Sequence, residues 1–220
     1  MPGQQRGLSA AHVKHRQTSD VLRRTVSQAP TARRLRHESV AVSHSDRRSS
    51  GYCLPMVYAI AKSAGFYAAH GIWSVSDGDM LTPLLGYAAA DGTEGLERLH
   101  SDDAAEAAHL GAERLQTGRP NWVRAVLIVD AFLHLPRGRT DALIIDAVEY
   151  TPRPRSLRMA VPYRPQSATA KFAVYRPKFI DNQGFTDPDY SELADSFYAG
   201  VDSHHQAAAV WHAHLLDESA

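Results

Sequence analysis

The only cysteine of this chain, Cys53, stands in the string "GYCLP" immediately before a stretch with helical spacing, and His70 follows seventeen positions later. A cysteine at a helix N-terminus gains thiolate character from the helix dipole, and a neighbouring histidine or histidinium strengthens it as a nucleophile. Cys53, His70 and a carboxylate such as Asp130 are therefore the residue types a small-molecule hydrolase or transferase would use. Spacing argues against the pair: a ten-residue helix between them, at about 1.5 Å per residue, would hold the two side chains roughly 15 Å apart.

The cysteine followed by a helix ending in Ala64-Gly65 resembles, over about fifteen residues, the nucleophile helix of papain-like cell-wall peptidases. The resemblance implies a thiolate nucleophile at Cys53. Leu54 and Pro55 depart from it, since those enzymes follow the cysteine with small residues, and so does His70, which follows the helix directly rather than coming from a later strand.

Four other groups carry chemistry. Ser76-Asp77-Gly78-Asp79 offers two carboxylates one residue apart, half of a cation loop, but Asp-Gly is also a turn signal in its own right. Asp130 and Asp146 interrupt two apolar strands, and with His134 and Asp141 they are the candidate ligand-binding residues. If Arg137-Gly138 forms the turn, His134 stands opposite Asp141, while Asp130 and Asp146 point to opposite faces and cannot share a proton. An arginine such as Arg124 or Arg158 is then the natural partner of these aspartates. His205 and His212, in "DSHHQAAAVWHAHLL", are the candidate metal ligands. Seven residues on a helix separate them by about 10 Å, too far for one ion. The expectation is no metal and no other cofactor.

The elements that must hold these residues follow from charge and periodicity. The formal charge is zero, yet residues 1–50 hold ten Lys+Arg against three Asp+Glu, and residues 51–220 hold fourteen against twenty-one. Residues 1–50, rich in Arg, Ser, Thr and Gln with scattered apolar positions, read as a disordered basic arm that could meet nucleic acid or another acidic surface. No aromatic residue lies among its arginines, which weakens the single-strand version. No run approaches the roughly 18 apolar residues of a membrane span, no apolar signal-peptide core is present, and one cysteine suits a reducing compartment, so the expected location is cytoplasmic.

Pro55 and the spacing of Val57, Ile60, Ala61 and Ala64 predict a helix over 55–64 stopped by Gly65. Asp77-Gly78 predicts a hairpin placing Trp73 opposite Thr82, with Pro83 making the second strand an edge. Asp103 and Glu106 predict a capping box and a helix to about Leu115. "WVRAVLIVDAFLHL" and "TDALIIDAVEY" predict a long hairpin, followed by strands at 157–164 and 171–177. The fold class is α+β: a mainly antiparallel sheet of about five to six strands with helices on one face, in a domain over 51–180. Its element order resembles that of profilin-like and roadblock-like scaffolds.

Residues 181–220 add a helical pair as an extension that packs on the domain or on a partner. In its first helix Tyr190, Leu193, Phe197 and Tyr198 form an aromatic stripe of the kind enriched in interfaces, so a homodimer through this helix is expected. The balance favours a non-catalytic binding, regulatory or assembly module. The alternatives are a hydrolase or transferase near Cys53, His70 and Asp130, and a nucleic-acid-associated protein acting through residues 1–50.

Overall fold

The computed structural model describes residues 57–219 apart from positions 137 and 152, so the expectations for the basic arm and for Cys53 lie outside the described residues. The chain divides into two units, Met1–Ser49 and Ser50–Ala220, and the second is described here. In chain order its elements are α1 (Val57–Val75), β1 (Leu84–Ala89), β2 (Glu94–Arg98), α2 (Ala104–Thr117), β3 (Trp122–Leu135), β4 (Gly138–Glu149), β5 (Arg155–Arg164), β6 (Ala173–Val174), β7 (Lys178–Gln183), α3 (Tyr190–Ser203) and α4 (His205–His214). Seven antiparallel strands make one sheet in the order β2-β1-β3-β4-β5-β6, and β7 pairs with β5 beyond the stretch that β6 occupies. The class is the expected α+β.

The alternation of side chains along each strand divides the sheet into two faces. Val126, Ile128, Leu143, Ile145, Leu157, Met159 and Val161 share one face with residues of α1, α3 and α4 in the main core. Leu85, Leu127 and Trp122 lie on the reverse face, where Ala107 and Leu115 of α2 cover them. The expected cap of α2 is present, with Asp103 Oδ1 accepting from Ala105 N–H at 2.8 Å, but Glu106 takes the Ser101 hydroxyl instead of closing a capping box. No helix among the described residues is long and apolar enough to cross a membrane.

Two expectations fail for one reason: the glycines were given the wrong task. α1 does not stop at Gly65; it runs through Gly65 and Gly71 to Val75. The apolar spacing of Ile60, Ala61, Ala64, Ala68, Ile72 and Val75 continues without a break, and all six are buried. A side chain at Gly65 would place its Cβ 1.9 Å from the Phe197 carbonyl oxygen, and one at Gly200 would lie 2.0 Å from that of Lys62. Both glycines thus mark the crossing of α1 and α3, and α3 likewise continues past Gly200 to Ser203.

The stop of α1 is Gly78, at φ +88°, whose N–H donates to Val75 O at 3.1 Å. The expected hairpin at Asp77-Gly78 is therefore absent, Trp73 sits on the helix, and Pro83 precedes an internal strand rather than lying in an edge. The hairpin forms one Asp-Gly later, at Asp91-Gly92 between β1 and β2. There Gly92 has φ +85°, its N–H donates to Ala89 O at 3.1 Å, and Thr93 N–H donates to Asp91 Oδ1 at 2.9 Å. Replacing Gly92 with alanine is expected to cost about 1 kcal/mol in urea unfolding, because positive φ penalises a Cβ even with open space around it; an unchanged midpoint would exclude that strain.

Candidate ligand-binding site

A face of α1 turned away from the core, the edge strand β2 and the α3–α4 junction enclose a groove. Three to four residue steps along α1 place Lys62, Ser63, Phe66, His70 and Trp73 along it. Glu94, Leu96 and Arg98 of β2 stand opposite Ala88, Gly86 and Leu84 and so project from the same sheet face. Tyr67 pins that edge to the helix. Its ring occupies the space a Cβ at Gly86 would need, and its hydroxyl donates to the carbonyls of Gly95 at 2.9 Å and Tyr87 at 3.3 Å. Burial first, and the Glu94 carboxylate second, push the Tyr67 phenol up to about 12, so it remains a donor at neutral pH.

One end of the groove is a cavity of about 400 Å³ lined by Lys62, Ser63, Phe66, Tyr67, Tyr87, Glu94, Arg124 and Ser203, among others. Arg124 comes from β3, on the face of Val126. Its Nε donates to Ser63 Oγ at 3.4 Å, and it has no ion pair among the described residues. The carboxyl directly across the strands from it is Glu149, which also faces Arg155 on β5. Glu149 is fully buried, and neither of its oxygens has a hydrogen-bond partner. Burial raises its pKa, with Arg124 and then Arg155 opposing. Glu149 thus lies beneath the site without bonding Arg124, and the guanidinium keeps donors free.

At the other end His70 Nδ1 lies 3.0 Å from His204 Nε2, and Arg98 Nη2 lies 3.3 Å from His70 Nε2. Phe66 and Trp73 flank the His204 ring, with centroids at 4.8 and 6.0 Å. Burial, His204 and Arg98, in that order, lower the His70 pKa from 6.5 to about 4. Since the unfolded chain takes up this proton near pH 6.5 and the folded protein only near pH 4, the unfolded state binds more protons in between. Stability should therefore fall as pH drops through that window, by about 1–2 kcal/mol once solvent at the ring edge is allowed for. The groups facing the ring are His204, Arg98 and Trp73. His70→Gln should flatten the slope; equal slopes for variant and wild type in denaturant titrations at pH 7, 6 and 5 would rule this out.

The sequence-derived candidates are dispersed. Of the hydrolase set, His70 is in the groove, but its partner is His204. Asp130 accepts from the Tyr163 hydroxyl at 2.8 Å on the core face. Asp146 lies on the opposite face, as expected, and binds Arg158 through two hydrogen bonds of 2.6 and 2.7 Å. His134 stands opposite Arg139 and not opposite Asp141, which faces Phe132 instead. Pro136 has no N–H to extend the ladder, so the last pair is Leu135 with Gly138, and Gly138 belongs to the strand rather than to the turn.

His205 is exposed, and His212 Nε2 meets Asp202 Oδ1 at 2.7 Å instead of turning toward His205. No group of three His, Cys, Asp or Glu side chains able to hold a metal occurs among the described residues, and Asp77 and Asp79 are exposed at the end of α1. Leu193 and Phe197 are buried at 0 and 1% exposure in the protein's own core, Tyr198 is partly buried against it, and Tyr190 donates no stripe of its own, being 49% exposed. Leu193 and Phe197 thus face the protein's own core, the arrangement in which the extension packs on its domain, while Tyr190 stays exposed.

Arg98, Ser63 and His204 escaped the sequence reading as site residues, and Arg124 entered it only as a partner for the strand aspartates. A charged residue at the start of an apolar strand was the available signal for Arg124; nothing local marks His204 as the neighbour of a residue 134 positions away. Comparisons with protein-family models, with curated proteins and with solved structures found no match.

Proposed function

We propose that the protein is a non-catalytic binding module that holds a small carboxylate in the cavity beneath Arg124. The observation that carries this reading is the half-buried guanidinium without a carboxylate partner, set in a cavity wall beside Lys62 and the hydroxyls of Ser63, Tyr67 and Ser203. Guanidinium binds carboxylate through two parallel hydrogen bonds, and Phe66, with Ala59 and Val126, gives an apolar body somewhere to lie. Lys62 and Arg124 outnumber Glu94 among the lining residues by one, and Glu149 lies across from Arg124 as a further acidic group, which suits a singly charged ligand better than a phosphate. The single cysteine supports a reducing compartment such as the cytoplasm.

The hydrolase or transferase alternative has no observation in its favour, because His70 is engaged with His204 and Asp130 with Tyr163. A role for residues 1–50 with nucleic acid rests on their composition alone. A homodimer through α3 would have to use Tyr190 and the exposed edge of Tyr198, since Leu193 and Phe197 already pack within the chain.

Calorimetric titration of the full chain with benzoate tests the reading, with inorganic phosphate as the comparison. Benzoate should bind, phosphate should bind more weakly, and Arg124→Gln should weaken benzoate at least about tenfold, the loss of a charge-assisted pair. Binding unchanged in Arg124→Gln would overturn the site, and tighter binding of phosphate would overturn the ligand class.

A further inference from the structure

The two histidines at the other end of the groove are short of one acceptor. His204 Nδ1 accepts from Ala207 N–H at 3.3 Å, capping α4. A neutral imidazole that accepts at one nitrogen donates from the other. His204 Nε2 therefore carries the proton and donates it to His70 Nδ1 across 3.0 Å. The same rule then places a proton on His70 Nε2, and that atom faces Arg98 Nη2 at 3.3 Å. Arginine has no acceptor, so two donors face each other where the groove opens to solvent. A proton added to His70 leaves this conflict in place. A metal between the rings fails as well: it would need both inner lone pairs, pushing both protons outward against Arg98 and Ala207.

An oxygen that accepts from both His70 Nε2–H and Arg98 resolves the mismatch. The cavity and the histidine pair share a wall, because Phe66 lines the first and lies 4.8 Å, ring to ring, from His204 of the second. Arg124 is held at Ser63, and His70 is seven residues further along the same helix, which at about 1.5 Å per residue separates the two ends by roughly 10 Å.

We propose that His70 and Arg98 form a second anchoring point of the same site, so that its ligand is an elongated dicarboxylate with acid groups about 10 Å apart. The proposal rests on the carboxylate reading of the Arg124 cavity and adds the length and second charge of the ligand. Phe66 lies between the two anchors, and the Trp73 ring borders His70 at 5.7 Å, so an apolar spacer suits the path.

The test is calorimetry on the full chain with straight-chain α,ω-dicarboxylates from succinate to sebacate, each against the monocarboxylate of equal length. Affinity should peak at one of the longer diacids and exceed that of the matched monoacid at least tenfold. Arg98→Gln should abolish that excess, bringing each diacid to the affinity of its matched monoacid in the same variant. A second carboxylate that improves binding less than twofold at every length, with monoacids still held through Arg124, would overturn the second anchor and leave the cavity reading standing. If no monoacid binds, the cavity reading falls, and the second anchor falls with it. ¹⁵N spectra of the histidines test the proton arrangement without any ligand: His204 should be protonated at Nε2. Protonation at Nδ1 would give Arg98 an acceptor on His70 and overturn the proposal.

Discussion

Replacing Gly65 with alanine is expected to destabilise the protein by about 2 kcal/mol, although alanine is the better helix former by about 1 kcal/mol. In an isolated helix the propensity would decide. Here the new Cβ meets the Phe197 carbonyl oxygen at 1.9 Å, and a backbone oxygen cannot turn aside as a flexible side chain would. The helices must separate, and Leu193, Phe197 and Val201 would lose contact with α1. Overpacking of this kind costs about 1–3 kcal/mol and at times more, enough to reverse the propensity gain. Gly200→Ala should behave alike, since its Cβ would lie 2.0 Å from the Lys62 carbonyl oxygen. Because one separation relieves both clashes, the double variant should lose less than the sum of the single losses. Urea unfolding of the three variants measures this, and a stabilised Gly65→Ala would show that the two helices do not cross there.

Phe197→Ala should cost about 3–5 kcal/mol, independent of protein concentration. The side chain is 1% exposed and packs in the core, with its ring 6.0 Å from that of Trp211 and 5.8 Å from that of Tyr198. Its removal leaves a cavity between α1, α3 and α4 that the close helix crossing prevents from collapsing. Thermal unfolding at two protein concentrations a hundredfold apart separates this from a subunit contact. A melting temperature that rises with concentration, in wild type but not in the variant, would return Phe197 to an interface.

Only pieces of the groove were legible in the sequence. Periodicity aligns Lys62, Phe66 and His70 only once α1 is carried past Gly65, where the expected helix stopped, and the interruption of apolar strands singled out Asp130 and Asp146, which lie outside the groove. It placed the two aspartates on opposite faces because alternation along paired strands depends only on the parity of the register. The turn placement was less constrained: His134 was paired with Asp141 instead of Arg139, since no local feature but Pro136 separates the two registers. The site itself could not be assembled from these pieces. His70 and His204 meet only because two helices cross at glycines, and Arg124 is unpaired only because Glu149 beside it makes no hydrogen bond.

By itself the sequence determined the α+β class, the long β3–β4 hairpin, the cap and extent of α2 and the charge contrast between residues 1–50 and the remainder. These follow from periodicity and local chemistry, which act over a few residues. Tertiary structure alone decided what each glycine is for. The same residue type ends α1 at Gly78, turns the chain at Gly92, admits the Tyr67 ring at Gly86 and lets α1 and α3 touch at Gly65 and Gly200. The absence of a Cβ is a local fact, but whether it serves a positive φ or the approach of a distant backbone depends on what lies across the gap, and that is set by packing.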